Sequence, residues 1–168
     1  MSDGFEATDF DRAVALVSAE RSPRDLVERL GLDWDYLTWL AVDAAAAVLG
    51  ERGEQRGDVV SSAAEAFTAG FLIGVHLAHE LPAPDRLAAA VDLVQTRGRH
   101  AVIADHCDLT SVARLEDVYS EALVESIAVA PAERDELRAP VTRVFEAGLA
   151  VGLELGSGGD RPGAAEEP

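Results

Sequence analysis

Two glycine-spaced apolar segments constrain the fold of this chain more than any other feature. Residues 67–77 read FTAGFLIGVHL and residues 145–155 read FEAGLAVGLEL, and they align without gaps at an offset of 78. Glycines four residues apart share one face of a helix and let another backbone approach closely. A glycine inside a helix costs about 1 kcal/mol relative to alanine, so four of them in register predict a helix crossing. The glycines are Gly70, Gly74, Gly148 and Gly152.

The same offset relates residues further upstream. It matches Leu37 with Leu115, Leu40 with Val118 and Ala44 with Ala122. Self-similarity at a fixed offset is typical of a duplicated structural unit. We therefore expect a degenerate internal duplication with two similar halves, roughly residues 8–80 and 84–156. The two glycine-bearing helices would meet near a pseudo-two-fold axis.

Composition and periodicity indicate an all-α fold. Apolar residues make up 48% of the 168 residues and aromatic residues only 5%, with alanine prominent, which favours closely packed helices over sheets. We predict a single-domain multi-helix bundle over residues 1–156, and a disordered acidic tail over 157–168 because Gly, Pro and Glu dominate there. The predicted helices are 8–19, 23–30, 34–50, 58–80, 84–97, 100–106, 111–128 and 132–155.

The charge balance indicates the salt concentration of the solvent to which the protein is adapted. Asp and Glu total 31 against 14 basic residues, all of them arginine, and the net charge is -17. Molar salt screens self-repulsion beyond about 3 Å, so an acidic, lysine-free surface resembles that of halophile cytoplasmic proteins. A nucleic-acid mimic is disfavoured, because the carboxylates are spread along the chain.

Cysteine usage and hydropathy favour a cytoplasmic protein. Cys107 is the single cysteine, which excludes an internal disulfide. The N-terminal residues MSDGFEATDFDR do not resemble a signal peptide. The longest apolar run, Ala66 to Ala78, is shorter than the ~20 residues of a membrane span. We expect no membrane association.

A metal site is the first candidate for chemistry. His76 and His79 share a helix face, and His106 with Cys107 forms a second group of nitrogen and sulfur ligands. The spacing HLAHE is neither HExxH nor HxxEH. The alternative is that His76 and His79 lie near a helix C-terminus, where the helix dipole favours imidazolium.

Residues 24–40, RDLVERLGLDWDYLTWL, resemble a helix-turn-helix with Gly31 in the turn. The outward residues of the presumed recognition helix are Asp33, Trp34, Asp35, Thr38 and Trp39. None is basic, and aspartates oppose both phosphate contact and guanine readout. Binding to nucleic acid is therefore disfavoured.

The aromatic segment around Trp34, Tyr36 and Trp39 has two interpretations: core packing or an anchor for a partner. No catalytic or cofactor-binding motif is recognised. We expect a non-enzymatic protein–protein interaction or regulatory module that forms a homodimer, because almost all-round apolar helices in so small a chain need further surface to bury. A metal-binding protein or metal-dependent enzyme using the histidines is the alternative, and a DNA-binding regulator is third.

Overall fold

The computed structural model describes residues 23–50, 56–77, 84–107, 110, 112–114, 116–117, 124–125 and 131–156. All regular structure in these ranges is helical, which confirms the predicted all-α class. Residues 110, 112–114, 116–117 and 124–125 are helical as well. The helices are α1 (Pro23–Arg29), α2 (Trp34–Leu49), α3 (Gly57–Leu77), a 3₁₀ turn (Pro84–Arg86), α4 (Leu87–Arg97), α5 (Arg99–His106) and α6 (Pro131–Gly156).

Local sequence signals set the helix boundaries. Asp33 caps α2, since its side chain accepts hydrogen bonds from the backbone N–H of Asp35 at 2.9 Å and of Tyr36 at 3.3 Å. Gly31, between α1 and α2, and Gly50, after α2, have φ of 78° and 57°, values that glycine adopts at little cost. Gly98 separates α4 from α5 in the same way, with φ of 89°.

Helices α3 and α6 cross backbone to backbone at the four spaced glycines. A Cβ on Gly74 would lie 2.6 Å from the carbonyl oxygen of Leu149, and one on Gly70 would lie 2.9 Å from the amide nitrogen of Leu149. A Cβ on Gly148 or Gly152 would overlap the backbone carbonyl of Phe67 or Phe71, respectively. No side chain fits between the helices at these positions, so only glycine permits this separation.

The two crossing helices run in the same direction. Gly70 faces the backbone of Phe145 and Leu149, and Gly74, four residues later, faces Leu149 and Leu153. Four residues forward on one helix therefore correspond to four residues forward on the other. The parallel pair forms the centre of the fold, and every residue from Gly148 to Gly156 is buried.

The remaining helices surround this pair. Helix α2 packs against both α3 and α6, while α4 and α5 pack against α6. Helix α3 is long and apolar enough to cross a membrane by length and composition, and 61% of its most apolar window is buried inside the protein. A mostly buried helix of this kind is also what the core of a small helical domain requires.

The predicted helix boundaries agree with the described ones within about two residues, the usual uncertainty of helix ends. The exception is the stretch 84–97, where a 3₁₀ turn occupies Pro84–Arg86 before α4 begins. The predicted helix 8–19, the end of the helix predicted over 58–80 and the predicted tail 157–168 lie outside the described residues. Most of the helix predicted over 111–128 lies outside them as well, and its described residues are helical.

Candidate functional site

Tyr36 and Trp39 form an aromatic pair on the exposed side of α2. The rings of Tyr36 and Trp39 are stacked, with centroids 6.2 Å apart and planes inclined by 12°. Trp39 is 59% exposed, and Val42, one turn further, is 42% exposed. Large exposed apolar side chains that cluster on one helix are typical of a surface that meets a partner. We call Tyr36, Trp39 and Val42 the aromatic face.

The sequence grouped Trp34 with this pair, and the structure separates them. Trp34 lies in the first turn of α2, half-buried against the hydrophobic core. Its neighbours on the inner side of the helix are Leu37, Leu40 and Ala41, which are buried. Trp34 therefore takes part in packing, and the exposed apolar surface belongs to Tyr36, Trp39 and Val42.

The C-terminal half of the exposed side of α2 carries only small residues. Ala46, Ala47 and Gly50 are exposed and carry little or no side chain. On a helix, residues 39, 43, 46 and 50 follow one another along one stripe because they are three or four apart. The face therefore has a bulky half and a flat half, with exposed Asp43 between them.

Two buried glutamates on α6 form a second polar feature, which the sequence reasoning missed. Glu146 and Glu154 are 6% and 8% exposed. Both lie within the apolar segment that carries Gly148 and Gly152. A carboxylate among buried residues requires a partner, so their position in this segment was the available signal.

Helix α5 supplies partners to both glutamates. The Arg99 Nε donates to Glu146 Oε2 at 3.2 Å, and the His100 Nε2 contacts the same oxygen. The His106 Nε2 lies 3.4 Å from Glu154 Oε2, and both of these side chains are mostly buried. The carboxylates thus fix α5 along α6 at its two ends, and we call this arrangement the α5 clamp.

Glu116 lies beside the clamp and holds a proton near neutral pH. Its burial, the nearby charge of Glu146 and that of Asp117 raise the pKa of Glu116 to about 7, although Arg99 opposes the shift. A carboxyl group with a pKa near 7 is only partly ionised at neutral pH, so it adds less negative charge next to a buried carboxylate than an ordinary glutamate does. The carboxyl group of Glu116 can therefore gain or lose a proton around pH 7.

Three residues of the predicted metal set, His76, His106 and Cys107, lie within the described part of the chain. His76 is in the last turn of α3, His106 contacts Glu154, and Cys107 is buried after α5. Within the part of the chain that is described, no three His, Cys, Asp or Glu side chains form a group that could hold a metal ion. His79 lies outside the described residues, so the four-residue set remains a prediction.

The segment that resembles a helix-turn-helix forms two helices, and the exposed side of the second lacks basic residues. Helices α1 and α2 are joined through Gly31, and Leu26, Leu32 and Leu37 are buried between them and the core. Thr38 is partly exposed but its hydroxyl is buried, so this hydroxyl is not available to contact DNA as the DNA-binding interpretation required. The exposed side of α2 carries Asp35, Asp43 and the aromatic face, and no basic residue of α2 offsets these carboxylates.

A small cavity of about 220 Å³ opens between α4 and the end of α6. Its walls are mainly alanine and leucine with one cation and one carboxylate: Arg86, Ala89, Ala90, Leu93, Glu154 and Leu155. Pockets that enclose a drug-sized ligand usually measure ~300–1,000 Å³, so this one is small for such a role.

Compared with models of known families, with curated proteins and with solved structures, the chain shows no significant match to any of them. Within the described part of the chain, the large apolar side chains that are exposed to solvent are those of the aromatic face.

Proposed function

We propose that this protein is a non-enzymatic protein–protein interaction or regulatory module that works as a homodimer. The observation that carries the proposal is the aromatic face, where Trp39 is 59% exposed and stacks on Tyr36. Aromatic side chains contribute disproportionately to binding when a partner covers them, and exposing them to water without a partner is unfavourable. The α5 clamp is, in this proposal, a structural element.

We also propose that the fold is a degenerate duplication. An offset of 78 relates Gly70 to Gly148 and Phe67 to Phe145. The close contacts obey the same relation, because Gly70 faces the backbone of Phe145 and Gly148 faces that of Phe67. Reciprocal contacts of this kind are what a two-fold relation between equal units produces.

Burial supports the duplication further. Nine of the eleven aligned positions in 67–77 and 145–155 share a burial class. The two exceptions pair Thr68 with Glu146 and His76 with Glu154, and these glutamates are the residues that α5 contacts. The proposed halves thus differ where one of them has acquired the α5 clamp.

The proposed setting is a salt-rich cytoplasm. A chain with net charge -17 repels its own copies at low ionic strength. Salt shortens the range of that repulsion and strengthens apolar burial, so dimerisation should increase with salt.

Light scattering of the purified protein across a concentration series tests the dimer. In salt of about 1 M or more, where the Debye length is about 3 Å, we expect a dimer for the wild type and a shift toward monomer for Trp39→Gln. Ala88→Gln is the control, because Ala88 is exposed on α4, away from the aromatic face. A wild type that stays monomeric at every salt concentration contradicts the proposal.

Elemental analysis of the same preparation, purified without chelator, tests the metal-dependent alternative. Stoichiometric transition metal that is lost in His76→Ala and His106→Ala would favour that alternative over an interaction module. The same metal content in wild type and variants would indicate metal bound elsewhere.

A further inference from the structure

The cavity between α4 and the end of α6 carries opposite charges on its two walls. Arg86, in the 3₁₀ turn that precedes α4, lies on one wall, and Glu154 of α6 lies on the other. Alanine and leucine side chains form the rest of the lining. Sites for small molecules are typically apolar with a few polar groups that fix the orientation of the ligand. The lining therefore suits a small molecule that combines an apolar part with charged groups.

The dimensions of the cavity limit the size of this molecule. The lining positions 86, 89, 90 and 93 are three or four residues apart, so they follow one line along the 3₁₀ turn and α4. At ~1.5 Å per residue this line is about 10 Å long. The volume of about 220 Å³ equals that of about seven water molecules in the liquid, at about 30 Å³ each. A ligand with a similar number of non-hydrogen atoms fits, which is the size of a small amino acid.

Glu154 provides a buried acceptor on the α6 wall. The residue is 8% exposed, and its Oε2 lies 3.4 Å from the Nε2 of His106. A carboxylate has about four acceptor sites on its two oxygens, so it can accept hydrogen bonds from more than one donor. Hydrogen bonds between ionised groups are stronger than those between neutral groups, and burial reduces their screening by water. Glu154 is therefore suited to bind an ammonium group.

Arg86 provides a cation on the opposite wall. Its side chain is partly exposed and makes no hydrogen bond that caps α4. Within the described ranges of the chain, no carboxylate forms an ion pair with it. A guanidinium group is planar and binds a carboxylate through two parallel hydrogen bonds. Arg86 is therefore suited to bind the carboxylate of a ligand.

We propose that this cavity binds a small zwitterion, an amino acid whose ammonium group contacts Glu154 and whose carboxylate contacts Arg86. Its hydrocarbon part lies against Ala89, Ala90 and Leu93. Glu154 repels a simple anion and Arg86 repels a simple cation, whereas an uncharged ligand would remove water from a buried carboxylate without replacing it. The site lies apart from the aromatic face of α2, so it does not depend on the proposed homodimer.

Isothermal titration calorimetry tests the proposal with L-alanine and 4-aminobutanoate, whose charged groups are separated by a shorter and a longer carbon chain. In salt of about 1 M, where exposed charges are screened, at least one of them should bind with a Kd of about 1 mM or tighter. Propionate and n-propylammonium carry one charge each and should bind at least about tenfold more weakly. The amide NMR signals of Ala89, Ala90 and Leu155 should shift with the zwitterion, which locates the binding.

Variants of the two walls test the role of each charge. Arg86→Gln and Glu154→Gln should each weaken binding of the zwitterion by about tenfold or more. Arg29→Gln, at an exposed position on α1, is the matched control and should leave the affinity unchanged. Because Glu154 also contacts His106, a second type of variant is needed. Ala89→Leu fills the cavity from an exposed position, keeps both charges and should abolish binding, while circular dichroism shows that the variant is folded.

Three results would overturn the proposal. The first is the absence of both heat and amide shifts with either zwitterion at about 20 mM. The second is equal binding of propionate or n-propylammonium, which would mean that one charge alone defines the site. The third is undiminished binding to folded Ala89→Leu, which would place the ligand elsewhere on the protein.

Discussion

Gly148 has no space for even one additional carbon atom, because a Cβ there would overlap the backbone of Phe67. Gly148→Ala should therefore force α3 and α6 apart and destabilise the protein by about 2–4 kcal/mol, the range of other severe packing defects. Gly57 begins α3 with nothing within 4 Å of its Cβ direction, so Gly57→Ala is the matched control. We expect the control to be neutral or slightly stabilising. Urea denaturation measures both, and equal stability of the two variants would contradict a tight crossing.

Glu116 should give the protein a pH-dependent stability. Its pKa is about 7 in the folded protein, above the ordinary 4.5, so the folded state binds the proton more tightly than the unfolded state. Its contribution is fully present below about pH 4.5 and is lost as the pH rises through about 7. Glu116→Gln, which cannot ionise, should be more stable than the wild type by roughly 1 kcal/mol at about pH 8, after allowance for solvent screening.

Thermal melts of wild type and Glu116→Gln at about pH 8 and about pH 4 test this expectation. The difference between the two proteins should disappear at the acidic pH, where Glu116 is protonated in the folded and unfolded states. Asp92→Asn, at an exposed position on α4, is the control and should have a smaller effect. A difference that persists unchanged at both pH values would assign the effect to packing.

At the scale of helices, the α5 clamp contains the buried carboxylate of Glu146. Removal of its two partners should destabilise the protein. Arg99 and His100 both contact Glu146, whose side chain is 8% exposed. The double substitution Arg99→Ala with His100→Ala leaves a buried carboxylate and should destabilise the fold by about 3 kcal/mol. Adding Glu146→Leu removes that charge and should restore most of the stability. Urea denaturation of the wild type and of these two variants completes the comparison.

The exposed pair Arg97–Asp105 provides the control for the clamp. Its two charged groups lie 2.5 Å apart, and the side chains are 38% and 44% exposed. Exposed ion pairs contribute about 0–1 kcal/mol, so Arg97→Ala should have little effect. If Arg97→Ala destabilised the protein as much as the double substitution does, burial would not explain the stabilising effect of the α5 clamp.

Helix class and boundaries could be predicted from sequence because their signals are local. Asp33 is followed directly by an apolar helical pattern, and Gly50 and Gly98 follow the last helical residues. The clamp could not be predicted in the same way, since Arg99 and Glu146 are 47 residues apart and nothing local links them. The orientation of Trp34 was equally undetermined, because a short aromatic cluster does not fix which ring faces the core.

At the scale of the whole molecule, the net charge of -17 should make stability increase with salt. Raising KCl from about 0.1 M to about 1 M shortens the Debye length from about 10 Å to about 3 Å, which removes most repulsion between distant carboxylates. We expect a gain of about 2 kcal/mol, or about 4–8 °C in Tm. Sucrose, an uncharged stabiliser, is the control, because it strengthens burial without screening. A Tm that is unchanged or lower in KCl would contradict a salt-adapted surface.

The parallel crossing of α3 and α6 has a consequence for how the protein is made. Helix α3 ends at Leu77 and α6 ends at Gly156, so the 79 residues from 78 to 156 must still be synthesised before the crossing can be completed. At about 5–20 residues per second, a ribosome needs about 4–16 s for that length. During this interval the nascent chain presents the long apolar helix α3 without the helix that packs against it, so the growing polypeptide should be most prone to aggregation in the seconds before α6 emerges.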